Sequence, residues 1–128
     1  MPRRILIVED TDTAATTLEI ALAGIPGVEV DRVRDGLRAL EYLAAESGGA
    51  VDLVITDLDM PFLDGYELIG RLRGQKQFER LPIVAVSGGD DRRAGARALR
   101  QGANAYFPKP WPPLALRQVV EEFLKPGM

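Results

Sequence analysis

Three apolar runs in this chain do not alternate with polar residues: Ile5-Leu6-Ile7-Val8, Leu53-Val54-Ile55 and Ile83-Val84-Ala85-Val86. A strand with one wet face alternates apolar and polar residues. A strand that does not alternate is covered on both faces, and sheets covered on both faces are built from parallel strands joined by helices. The intervening segments supply the helices. Asp12 or Thr13 is placed to cap a helix with Leu18, Ala21, Leu22 and Ile25 on its apolar side, stopped by Pro26-Gly27. Val28 to Val33 alternates and reads as a second strand nearer an edge. Asp35 caps the next helix, with Leu37, Leu40, Leu43 and Ala44 facing inward and Ser47-Gly48-Gly49 at its end. The third strand runs from Val51 to Thr56, and Asp64 with Glu67 forms a capping-box pattern before Leu68, Ile69 and Leu72. Pro82 introduces the fourth strand. Asp90 or Asp91 opens a helix ending at Gln101, and Asn104 to Phe107 is a short fifth strand. Pro112-Pro113 starts a last helix carrying Leu116, Val119, Val120, Phe123 and Leu124.

Five strands alternating with five helices predict a doubly wound α/β domain. Right-handed crossovers favour the strand order 2-1-3-4-5. Residues 1–125 read as one domain and residues 126–128 as a C-terminal tail or a truncated linker.

In such a sheet ligands bind where the carboxyl ends of the strands gather. Glu9 and Asp10 follow the first strand, Asp57 the third, Ser87 the fourth and Lys109 the fifth. Carboxylates crowded into one crevice repel each other and raise one another's pKa, and a hard divalent cation relieves this. The chain has no histidine and no cysteine, so no imidazole or thiolate competes, and oxygen donors point to Mg²⁺, with Mn²⁺ as a substitute. Metal, carboxylate, hydroxyl and ammonium together suit phosphoryl transfer. Asp57 is then the nucleophile, while Lys109 and Ser87 meet the phosphoryl oxygens. A net charge of −3 argues against direct nucleic-acid binding. No apolar run approaches a membrane span and no leader pattern is visible, so a cytoplasmic protein without membrane contact is expected.

The stretches "ILIVED", "DLVITDLDMPFLDG", "PIVAVSG" and "GANAYFPKP", in this order, resemble the receiver domain of two-component response regulators, of the chemotaxis-regulator type, over essentially the full length. The resemblance implies a flavodoxin-like (βα)5 fold and an Asp57 phosphoacceptor. It implies Asp10 as a direct Mg²⁺ ligand, Glu9 acting through water, and the Asp59 backbone carbonyl completing the protein ligands. Ser87 becomes the switch hydroxyl, Tyr106 the switch aromatic and Lys109 the phosphate-binding lysine. The bond before Pro110 is often cis in the family. The implied partner is a histidine kinase or histidine phosphotransfer protein, because this chain has no histidine to carry a phosphoryl group. The implied output face is helix 4, strand 5 and helix 5, with Arg92, Arg93, Arg97, Tyr106 and Trp111, binding a downstream protein or a second copy. Such a domain catalyses its own phosphorylation and dephosphorylation and turns over no separate substrate.

The sequence departs from the commonest pattern at several positions. The acidic pair is Glu-Asp, serine replaces threonine at 87, Gly88-Gly89 follows it, Asp59 adds an acid beside the site, and Trp111 stands where phenylalanine is common. Two other readings stay open. Asp57-Leu58-Asp59 is also the DxD of haloacid-dehalogenase-type phosphatases, although there it follows the first strand. A receiver serving only as a phosphate sink would carry the same site.

Overall fold

The computed structural model describes residues 2–45, 51–89 and 91–125. The elements in chain order are β1 (Arg3–Val8), α1 (Asp12–Leu22), β2 (Val28–Val33), α2 (Gly36–Ala44), β3 (Val51–Asp57), α3 (Gly65–Arg73), a 3-10 turn (Lys76–Phe78), β4 (Ile83–Ser87), α4 (Ala94–Gln101), β5 (Ala105–Pro108) and α5 (Pro113–Leu124). All strand pairs are parallel and the sheet order is β2-β1-β3-β4-β5, as expected.

Alternate residues of each strand enter two cores, one on each sheet face. Leu6, Val8, Val54, Ile83 and Ala85 meet Ala39, Leu43, Leu68, Leu72 and Ala98 on the α2–α4 side. Ile5, Ile7, Leu53, Ile55, Val84 and Val86 meet Leu18, Leu22, Leu116 and Val120 on the α1/α5 side. The non-alternating sequence of the central strands follows directly, since both faces of each are dry.

Asp35 and Asp64 cap as read, their carboxylates accepting from the backbone N–H of Arg38 and Glu67, each at 2.8 Å. Other expectations need correcting. Thr11 is the N-cap of α1, so Asp12 and Thr13 already lie in its first turn. Freed from capping, Asp12 pairs with Arg32 at 2.7 Å and Arg34 at 3.0 Å. Helix α4 begins at Ala94. Asp91 instead closes a turn before it, its side chain accepting from Arg93 N–H at 2.8 Å and its carbonyl from Ala94 N–H at 3.2 Å. Leu37 and Ala44 are exposed, because the buried stripe of α2 is Gly36, Ala39 and Leu43, with Leu40 beside it. The expected end of α2 at 47–49, Asp90 and the tail 126–128 lie outside the described residues.

Phe62, in the loop between β3 and α3, has φ 69° and is 84 % exposed. A side chain in the left-handed region crowds the following carbonyl and costs about 1 kcal/mol, and an exposed ring recovers nothing by burial. Phe62→Asn should therefore raise stability by about 0.5–1 kcal/mol, because Asn tolerates this conformation. Urea unfolding checks it as a higher midpoint at unchanged slope. A lower midpoint would contradict the strain.

Candidate phosphoryl-transfer site

The carboxyl end of the sheet gathers the predicted residues. β3 runs one residue further than expected and ends on Asp57, whose register partner on β4 is Val86; β4 in turn ends on Ser87. The two side chains thus stand on adjacent strand ends. Glu9 is fully buried, Asp57 is 6 % exposed and Ser87 3 %. One carboxylate oxygen each from Glu9, Asp10 and Asp57 lie within 4.8 Å of one another.

Local structure holds this arrangement against its own repulsion. Arg32 on β2 donates through Nε and Nη2 to the Glu9 carbonyl at 3.0 and 2.9 Å, and Thr11 N–H donates to Glu9 Oε2 at 3.1 Å. Asp59 N–H donates to Asp57 Oδ1 at 3.3 Å. Lys109 enters from the β5–α5 loop, which is tied to β4 by Lys109 N–H donating to the Ser87 carbonyl at 2.7 Å. Its Nζ lies 3.4 Å from Glu9 Oε1 and 3.9 Å from Asp57 Oδ2. The Lys109–Pro110 bond is cis. Gly65 opens α3 directly on the end of β3: a Cβ there would stand 2.3 Å from the Asp57 carbonyl oxygen, so any other residue would push the strand end away.

One cation does not neutralise these acids. Burial, and then the charge of Glu9, push the Asp57 carboxyl up to about 7, although Lys109 and the Asp59 N–H pull it down. A buried carboxylate raised by its neighbours is what a hard cation bound by oxygen donors would relieve. Glu9, Asp10 and Asp57 therefore fit Mg²⁺, with Asp10 the open member of the three.

Ser87 Oγ donates to Asp59 Oδ2 at 3.0 Å and accepts from Gly89 N–H at 3.2 Å. Asp59 is exposed. Tyr106 points to the α4 side of the sheet and lies against Gly95, where a Cβ would come within 2.8 Å of its ring. Arg92, Arg93 and Arg97 are exposed, and the Arg97 guanidinium lies 3.8 Å from the centroid of the Tyr66 ring. Trp111 is a correction. Expected beside these residues, it is 8 % exposed and belongs to the opposite core with Ile7, Leu18 and Leu116. The apolar indole fills space between the α1 and α5 helices, bordering a cavity of about 220 Å³ lined also by Ala14, Thr17, Lys109, Pro110 and Pro113.

Sequence reasoning missed Arg32 and Gly65. Arg32 carries no signal in an edge strand rich in charge. The Asp64-Gly65 pair signals a turn, but not the close approach to Asp57.

A family model described as the response regulator receiver domain matches residues 5–121. A chemotaxis protein CheY homolog of Campylobacter jejuni is 29 % identical over 124 residues, covering 97 % of this chain and 94 % of that protein. The receiver domain of a signal transduction histidine kinase from Syntrophus aciditrophicus superposes with TM-score 0.84 at 34 % identity, covering 95 % of this chain and 89 % of that one. The receiver domain of a sensor histidine kinase from Pseudomonas aeruginosa, with a magnesium ion coordinated in its active-site cleft, gives TM-score 0.84 at 27 % identity, covering 97 % and 98 %. Among the described residues no helix is long and apolar enough to cross a membrane.

Proposed function

Since the chain belongs to the response regulator receiver family, we propose that it is a phosphorylatable signalling switch whose Asp57 takes a phosphoryl group from a phosphohistidine of a partner histidine kinase or histidine phosphotransfer protein. The observation that carries this reading is the Asp57 carboxylate, buried at a strand end with Glu9 and Asp10 beside it and the Lys109 ammonium 3.9 Å away. A carboxylate oxygen of Asp57 attacks phosphorus. The P–O bond forms as the P–N bond breaks, and the electron pair of that bond stays on the imidazole nitrogen of the donor. Lys109, within reach of both carboxylates at rest, follows the phosphoryl oxygens as charge builds on them. Glu9, Asp10, Asp57 and the Asp59 carbonyl would hold Mg²⁺, which when bound would supply further neutralisation of that charge. Water attacking phosphorus later releases inorganic phosphate and restores the carboxylate.

Output follows from Ser87 and Tyr106. A phosphoryl group on Asp57 draws the Ser87 hydroxyl by a charge-assisted hydrogen bond. The space it leaves admits Tyr106, which otherwise rests over Gly95. The face of α4, β5 and α5, with Arg92, Arg93, Arg97 and Tyr106, then changes shape for a downstream protein or a second copy. This is a two-state element biased by local charge, and a reversal from 1:99 to 99:1 requires about 5.5 kcal/mol of preference. Beryllium fluoride with Mg²⁺, a stable stand-in for the phosphoryl group, tests it by amide NMR. Shifts should spread from Asp57 and Ser87 through Ala94–Gln101 to Tyr106. Shifts confined to the carboxylate pocket would contradict the switch and leave phosphate storage as the better reading.

A further inference from the structure

The Ser87 hydroxyl has one proton to donate, and in the resting structure it is already given to Asp59 Oδ2 at 3.0 Å. Its oxygen is occupied too, accepting from Gly89 N–H at 3.2 Å. The acceptor is a carboxylate, so this bond is charge-assisted and of the same kind as the bond Ser87 would make to a phosphoryl group. The exchange on phosphorylation therefore sets one ionic acceptor against another. Gly89 lies beside the pair: a Cβ there would stand in ordinary contact, 3.7 Å from both Asp59 Oδ2 and Ser87 Oγ. Asp59 is itself fixed by the strand end, its N–H bonded to Asp57 Oδ1 at 3.3 Å. The competing acceptor thus sits on the backbone segment that carries the phosphorylation site.

We infer that Asp59 is a resting-state latch, a positioning residue that holds the Ser87 hydroxyl away from Asp57 and raises the phosphoryl signal needed to throw the switch. The inference rests on the proposed switch and deepens it. Asp59 acts through Ser87 and takes no part in bond making. A chain with this latch is quiet at rest: spontaneous excursions of Ser87 toward Asp57 must first break an ionic hydrogen bond.

The competing explanation is plain repulsion between Asp59 and an anionic phosphoryl group. A double-substitution cycle separates the two, using beryllium fluoride and Mg²⁺ as the probe and amide NMR titration as the readout. Asp59→Ala should bind the probe roughly tenfold more tightly than the wild type, the low end of the range for one hydrogen bond to a charged group, as suits an exposed acceptor. In a Ser87→Ala background the same substitution should tighten binding at least threefold less, because no hydroxyl remains to be released. Asp59→Asn, which keeps an acceptor oxygen without the charge, should retain part of the latch and fall between wild type and Asp59→Ala in the Ser87 background. An Asp59→Ala gain that is equal in the two backgrounds would overturn the latch and leave repulsion alone. Failure of the wild type to bind the probe at all would instead overturn the phosphoacceptor reading beneath it. Asp59 is exposed, so its removal should leave the fold intact.

Discussion

Incubated with acetyl phosphate and Mg²⁺, the wild-type chain should gain one phosphoryl group, Asp57→Asn none, and Lys109→Ala should be phosphorylated about a hundredfold more slowly. The first loss is chemical: an amide oxygen is a poor nucleophile, and the flanking acids Glu9 and Asp10 are placed to bind a cation. The second is electrostatic. Lys109 is the only ammonium or guanidinium group paired with Asp57 among the described residues, with Nζ 3.9 Å from Oδ2. Removing one preorganised donor from developing charge costs on the order of 10²- to 10³-fold. Intact-mass time courses measure both. Modification of Asp57→Asn at the wild-type rate would refute the assignment, and an unchanged rate in Lys109→Ala would remove the lysine from the mechanism.

Most of the site was legible because its residues end strands. Apolar runs that stop at Glu9, Asp57 and Ser87 place those side chains at the sheet edge once parallel order is inferred, and the structure moves β3 and β4 by only one residue each. Asp57-Leu58-Asp59 alone fitted a phosphatase as well; the family match over residues 5–121 decides for the receiver. What failed was contact information. Leu37 attracted an inward assignment because it is leucine, yet Gly36, Ala39 and Leu43 set the phase of the α2 stripe. Asp91 looks like a helix cap in sequence, and only the two bonds it makes to Arg93 and Ala94 show a turn. Trp111 followed Pro110 to the α1/α5 side, whereas Tyr106 faces α4 because strand residues alternate. The Ser87–Asp59 bond depends on the end of β4 meeting the loop after β3, 28 residues apart, which no local pattern encodes.

In metal-free buffer at pH 8, Asp57→Asn should be more stable than the wild type by roughly 2 kcal/mol, and the difference should vanish near pH 4. In the folded state the Asp57 carboxyl is raised to about 7, against 3.8 for the ordinary group. Between these values the folded state binds more protons than the unfolded state, so stability falls as pH rises and levels off above about 7. The shift alone would correspond to about 4 kcal/mol, and the solvent-facing mouth of the site reduces that by about half. The neutral amide carries no such penalty. Mg²⁺ should act in the opposite sense, stabilising the wild type by about 2.7 kcal/mol at a hundred times its dissociation constant and Asp57→Asn by less. Urea unfolding across pH, with and without Mg²⁺, gives all of these values. Equal stability of the two chains at pH 8 without metal would mean that the acidic cluster is not strained.

The central claim is that phosphoryl capture occurs on the Asp57 carboxylate, and borohydride reduction tests it most directly. An acyl phosphate is reduced to a primary alcohol, whereas free carboxylates and phosphate esters of Ser87 or Tyr106 are not. After treatment with acetyl phosphate and Mg²⁺, fragment mass spectrometry of the reduced chain should locate homoserine at position 57 and nowhere else. Reduction at Asp59, Asp10 or Glu9, or a phosphoryl group that survives borohydride, would contradict the account.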